Sequence, residues 1–256
     1  MIKKLNTSRA FELDALRGLA IIMMILHHLI YDLRYVIGLD VFAWQDSNFF
    51  IDWIRAPFVF IFLFVSGICC SFSKNNFLRS LKMAIVAVLF SGVFFAVSVI
   101  TDSEMYVYFN VLHLLALGTL GYALLSYLEK KHSLKNINAI LIFAGVIFLW
   151  IAYPLSRLDP SYNPFLLPLF EGFAAGVGMA DYMPLAPWFG MFIFGALFGR
   201  LYYQNKQTRF PNCHANIRTA IIPFEFVGRN SLMFYLFHQP VLLALLYLLQ
   251  FLGIIG

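Results

Sequence analysis

The chain of 256 residues is 61% hydrophobic and 18% aromatic, with 12% charged residues and a formal net charge of +5. This composition excludes a soluble globular domain, and apolar runs of about 20 residues, long enough for a bilayer core of ~30 Å, recur along nearly the whole length. The runs are continuous rather than alternating, which excludes a β-barrel. An all-α, polytopic transmembrane helical bundle is expected, forming a single integral membrane domain over residues 1–256.

Seven spans are expected, over residues 15–38, 49–72, 80–100, 107–128, 137–153, 184–203 and 224–253. Lys3 and Lys4 precede an apolar run that is too long for a signal peptide and lacks a small-residue cleavage site, so it reads as a retained first span.

That first span carries Arg17 and His28. Eleven residues at ~100° each close to within roughly 20° of full turns, so the two side chains share a helix face about 16 Å apart. Asp14 and Asp32 lie within about 60° of that face. Ionisable groups on one stripe of a membrane helix are costly unless they face protein or a wet cavity, which makes the stripe a functional hypothesis. His27 is turned about 100° away and is assigned to packing.

Cys69 and Cys70 lie in an apolar run and Cys213 in a basic loop, so no disulfide framework is expected. Segment 154–183 holds Pro154, Pro160, Pro164, Pro168, Gly172, Gly176 and Gly178, and reads either as a lid or re-entrant piece or as a plain surface loop. Tyr182 and Trp188, beside Asp181, Pro184 and Pro187, suit an interface anchor. The last span opens with Glu225, Arg229, Asn230 and Ser231; Ser231, Tyr235 and His238 stand at i, i+4 and i+7 on one polar face.

With seven spans, fifteen of the eighteen Lys and Arg fall on the amino-terminal side and only Arg34, Arg55 and Arg157 on the other, while acids such as Asp102 and Glu104 gather opposite. The amino terminus is therefore expected in the cytoplasm and the carboxyl terminus outside. This distribution also explains the positive charge without a nucleic-acid partner.

In that topology His28 lies about 18 Å and His238 about 21 Å along their helices from the cytoplasmic end, and His113 about 9 Å from the outer end. All three reach similar depth, which suggests one shared site; taken singly, His113 or His238 is equally an interhelical hydrogen bonder. Imidazole titrates near neutral pH and suits proton transfer. Asp32 could orient the His28 ring, or act as a cap or a partner of Arg34 or Arg55. Arg229 could pair with Glu225 one turn away, join Arg17 in binding phosphate, or snorkel to headgroups. No metal is expected, because the sequence lacks the histidine spacings of a zinc helix.

The segment Leu13-Asp14-Ala15-Leu16-Arg17-Gly18-Leu19-Ala20-Ile21, with His28 and Tyr31-Asp32-Leu33, resembles the opening span of bacterial members of the heparan-alpha-glucosaminide N-acetyltransferase catalytic-domain family. Asn110-Val111-Leu112-His113, Asp181-Tyr182-Met183-Pro184-Leu185-Ala186-Pro187-Trp188, and Gly228-Arg229-Asn230-Ser231-Leu232 running to Tyr235 and His238-Gln239-Pro240 agree in order. The Arg17 to His28 spacing also looks like that of the wider membrane acyltransferase-3 group.

The resemblance implies a multi-pass enzyme of the bacterial inner membrane. It would move an acyl group, expected to be acetyl, from cytoplasmic acetyl-CoA or another acyl-CoA to a carbohydrate or glycolipid acceptor on the outer side, with a homodimer allowed. By the same resemblance Arg17 and His28 are the residues needed for activity. Residues 33–48 contain no histidine, whereas the animal enzyme places its catalytic histidine in this loop. Catalytic roles are expected for His28, Arg17 and Asp32, CoA binding for Arg17 and Arg229, and acceptor or oxyanion contacts for Asn110, His113, Asp181, Ser231, Tyr235 and His238. The alternative class is a proton-coupled transporter or flippase of a polar solute, relaying along Asp14, Arg17, His28 and Asp32.

Overall fold

The computed structural model describes residues 10–102, 106–132, 136–179 and 181–255. Five members of the charge distribution, Lys3, Lys4, Arg9, Glu104 and Lys135, lie outside them. Among the described residues the chain is helical without strands: α1 (Phe11–Tyr31), α2 (Ala56–Ile68), α3 (Asn76–Thr101), α4 (Val111–His132), α5 (Ile137–Leu155), α6 (Trp188–Tyr202), α7 (Ala215–Ala220), α8 (Ile222–Arg229) and α9 (Ser231–Phe251). π-helical turns extend α1 over Asp32–Val36 and precede α2 over Phe50–Arg55.

Among the described residues six stretches are long and apolar enough to cross a membrane, Phe11–Val36, Phe50–Ile68, Asn76–Thr101, Val111–Lys131, Ile137–Leu155 and Ser231–Phe251. The expected span at 184–203 is the shorter helix α6 of 15 residues, about 22 Å long. Pro184 and Pro187 hold the chain out of a helix until Trp188. The expected span at 224–253 divides at Asn230, with φ −106° and ψ 23°, into α8 and α9.

The chain forms two compact units, Met1–Phe62 with Lys206–Gly256, and Leu63–Asn205. In the first, α1 lies against α8 along most of the latter's length and touches α9. Glycines permit this approach, because a Cβ on Gly18 would stand 1.8 Å from the Phe224 carbonyl oxygen and one on Gly228 1.8 Å from that of Asp14. Small residues at membrane helix contacts let backbones meet where no hydrophobic effect drives association.

In the second unit α3 packs on α4 and α5 on α6. Asn75 caps α3 by accepting the Leu78 N–H at 3.0 Å. Ile137, Leu141, Ile193 and Leu197 form a buried cluster between α5 and α6. The end of α2 reaches α6 through Gly67 and Gly195, where a Cβ would meet the Phe192 oxygen at 2.1 Å and the Phe64 oxygen at 2.0 Å. Val88, Leu89, Val93 and Ile100 of α3 stay exposed, an apolar face suited to lipid.

Candidate active site

Two polar clusters occupy the first unit, both on α1. The first is ionic. Arg229 on α8 donates from Nε to Asp14 at 3.3 Å and from Nη2 to Glu225 at 2.7 Å. Glu225, only 4% exposed, also takes both terminal nitrogens of Arg218, one of them from Nη2 at 3.2 Å. The Arg218 guanidinium lies over the Phe11 ring, 4.2 Å from its centroid, and burial among these groups lowers its pKa from the ordinary value. Arg17 donates to the Gly228 carbonyl at 3.4 Å.

Three guanidinium groups thus meet Asp14 and Glu225, with the Glu12 carboxylate also within electrostatic reach of Arg218. Arg229 keeps 44% of its side chain exposed while tied to its acids. The helix pairing with Glu225 weighed from spacing is present, and Asp14 is a second acid that spacing alone did not connect to Arg229. The arrangement is suited to an anion at its exposed edge, since guanidinium binds phosphate through paired N–H donors.

The second cluster lies further along α1. The His28 and His238 rings stand 5.0 Å apart between centroids, and His27 is 5.7 Å from His28. The His238 Nδ1 sits 2.7 Å from the Tyr235 carbonyl oxygen. A carbonyl only accepts, so in the neutral ring the proton is on Nδ1 and the lone pair on Nε2. Tyr235 is buried, with its ring 6.0 Å from that of His238. Ser231 is the first residue of α9 and half-buried.

Asp32, 1% exposed, accepts from Gln239 Nε2 through both carboxylate oxygens at 2.9 Å. The donor on Asp32 is therefore Gln239 rather than the His28 ring, Arg34 or Arg55. The Asp32 N–H still bonds the His28 carbonyl one turn back and the helix widens beyond it, while Arg34 is engaged by Asp40 and Asp46, both at 3.2 Å. Gln239 had no assigned role; an amide next to a histidine in an apolar run was the available signal.

The second unit assembles Asn110, His113 and Asp181. Asn110 is fully buried and caps α4, its Oδ1 accepting the Leu112 N–H at 3.1 Å. Its Nδ2 donates to Asp181 at 3.2 Å, and the His113 Nδ1 is 2.8 Å from its Oδ1. The neighbouring Tyr182 hydroxyl donates to the Leu167 carbonyl at 2.5 Å. Burial, with the Glu171 carboxylate nearby, pushes that phenol up in pKa and keeps it a donor. Three residues expected to touch acceptor or oxyanion thus form one hydrogen-bonded group that also starts a helix. Among the described residues no group of three or more His, Cys, Asp or Glu could hold a metal ion.

A family model described as heparan-alpha-glucosaminide N-acetyltransferase, catalytic, matches residues 9–240. No curated protein and no solved structure matches the chain.

Proposed function

The chain belongs to the heparan-alpha-glucosaminide N-acetyltransferase catalytic-domain family, and on that premise we propose that it transfers acetyl from cytoplasmic acetyl-CoA to an amine or hydroxyl of a carbohydrate or glycolipid acceptor. The acceptor arrives from the opposite side of a bacterial inner membrane.

The observation that supports this reading is the meeting of His28 with His238, beside the buried Asp32–Gln239 pair, on the helix that carries Arg17 eleven residues earlier. The edge of the Arg17–Arg229 cluster takes the phosphates of the donor, and the ~16 Å to His28 is the reach of the thioester into the bundle.

His28 acts as general base. It removes the proton from the acceptor nitrogen or oxygen as that atom bonds to the thioester carbonyl carbon. The C–S bond then breaks, and the departing CoA thiolate receives the proton from His28. General base catalysis of this kind contributes about 10²–10⁴-fold. Tyr235 holds the His238 ring through its carbonyl, and Asp32 with Gln239 keeps α1 and α9 in register beside the two imidazoles.

Purified protein incubated with acetyl-labelled acetyl-CoA and a panel of amino sugars tests the reading. Label passing to a sugar is the expected result. Absence of CoA binding and of transfer, with uptake of a polar solute into liposomes, would overturn it in favour of a transporter.

A further inference from the structure

Within the first unit, the segment between α1 and the π-turn Phe50–Arg55 is strapped down rather than loose. Arg34 donates from Nη1 to Asp40 and to the Val41 carbonyl, both at 3.2 Å, and its Nε pairs with Asp46 at 3.2 Å. Phe42 holds the left-handed conformation at φ 54°, costly for a bulky side chain and a mark of a segment held by its surroundings. A 3-10 turn, Ala43–Asp46, follows, closed by the Gln45 N–H on the Phe42 carbonyl at 3.0 Å.

Gln45 lies between two residues tied to the carboxyl end of α1. Asp46 binds Arg34, and the Trp44 ring packs edge-on to Phe50 at 5.0 Å, which packs against His27 at 5.5 Å. Gln45 is 3% exposed, yet neither its Nε2 nor its Oε1 has a hydrogen-bond partner in the protein. The same holds for Nδ1 of His27 and Oε1 of Gln239, which flank His28 and Asp32. Burying such groups unmatched costs them the hydrogen bonds they would make to water. Gln45 thus carries an unmatched buried amide on the clamped strap, whose neighbouring Trp44 reaches His27 through Phe50.

We propose that Gln45 is an acceptor-positioning residue, its buried amide binding the hydroxyl or amine groups of a sugar at the His27–His28 end of α1. An amide offers two donors and an acceptor, the complement of a vicinal hydroxyl and amine on a pyranose. Arg34 acts behind it by fixing the strap. The inference rests on the acetyl-transfer reading for its choice of ligand.

The test uses the full chain in detergent, acetyl-CoA, and methyl α-D-glucosaminide as probe. Gln45→Met should raise KM for the glucosaminide about tenfold, the loss of one good hydrogen bond, with kcat and KM for acetyl-CoA nearly unchanged. Its thermal midpoint without sugar should equal or exceed that of the native chain, because an unmatched buried amide has been removed. The glucosaminide should raise the midpoint of the native chain and not of Gln45→Met. An unchanged KM, or a lower midpoint with both substrates equally affected, overturns the proposal and marks Gln45 as structural. A sugar-dependent midpoint shift in a chain that transfers no label would instead overturn the acetyl-transfer reading alone.

Discussion

Gly18 and Gly228 bring the backbones of α1 and α8 into direct contact, with the Gly18 nitrogen 2.9 Å from where a Gly228 Cβ would stand. This contact sets Arg17 and Arg229, the residues next to each glycine, in one cluster with Asp14 and Glu225.

Gly18→Ala should therefore destabilise the chain, although a glycine-to-alanine change inside a helix normally gains about 1 kcal/mol. The added methyl must displace the Phe224 carbonyl, and overpacking of this kind costs about 1–3 kcal/mol. A lower thermal midpoint in detergent, accompanied by weaker CoA binding, is the expected outcome. An unchanged midpoint would mean that the helices can separate freely.

Glu225 is the hub of the ionic cluster, buried and bonded by both Arg218 and Arg229. Glu225→Gln removes the buried ion-pair partner of Arg218, and breaking such a pair costs about 3–5 kcal/mol. Equilibrium unfolding should report a loss on that scale. Gln239 and Asp32 offer a subtler measurement, since each is the other's partner across α1 and α9. A double-mutant cycle of Asp32→Ala and Gln239→Ala should give a coupling of about 1–2 kcal/mol; strict additivity would show that the pair is incidental.

Much of this arrangement is legible in the sequence because helical periodicity is a strong signal in an apolar run. Arg17 and His28 fall on one face from spacing alone, and depth along the helices places His28 level with His238, whose rings do meet. Other features obey no periodicity. Gly18 and Gly228 look like any glycine until two backbones are seen to touch. Asp32 lies one regular turn beyond His28, but its amide partner comes from 207 positions away, where no spacing along α1 points. The break at Asn230 falls in the polar run Arg229-Asn230-Ser231, which reads equally as the polar opening of one long span, and α6 is shorter than its apolar run because the preceding prolines delay its start. Asn110, expected at acceptor or oxyanion, is at once the cap of α4 and the partner of Asp181, two roles that one sequence position does not separate.

In the proposed reaction His28 carries the proton in acetyl transfer while the donor is held at the far end of α1. This role is tested most directly by single-turnover transfer of labelled acetyl from acetyl-CoA to an amino sugar, in the native chain and in His28→Ala, with CoA affinity measured on the same samples. The account predicts that the transfer rate falls by about 10²–10⁴-fold while CoA affinity and thermal midpoint stay close to native. A His28→Ala chain that binds CoA and transfers acetyl at the native rate would contradict it.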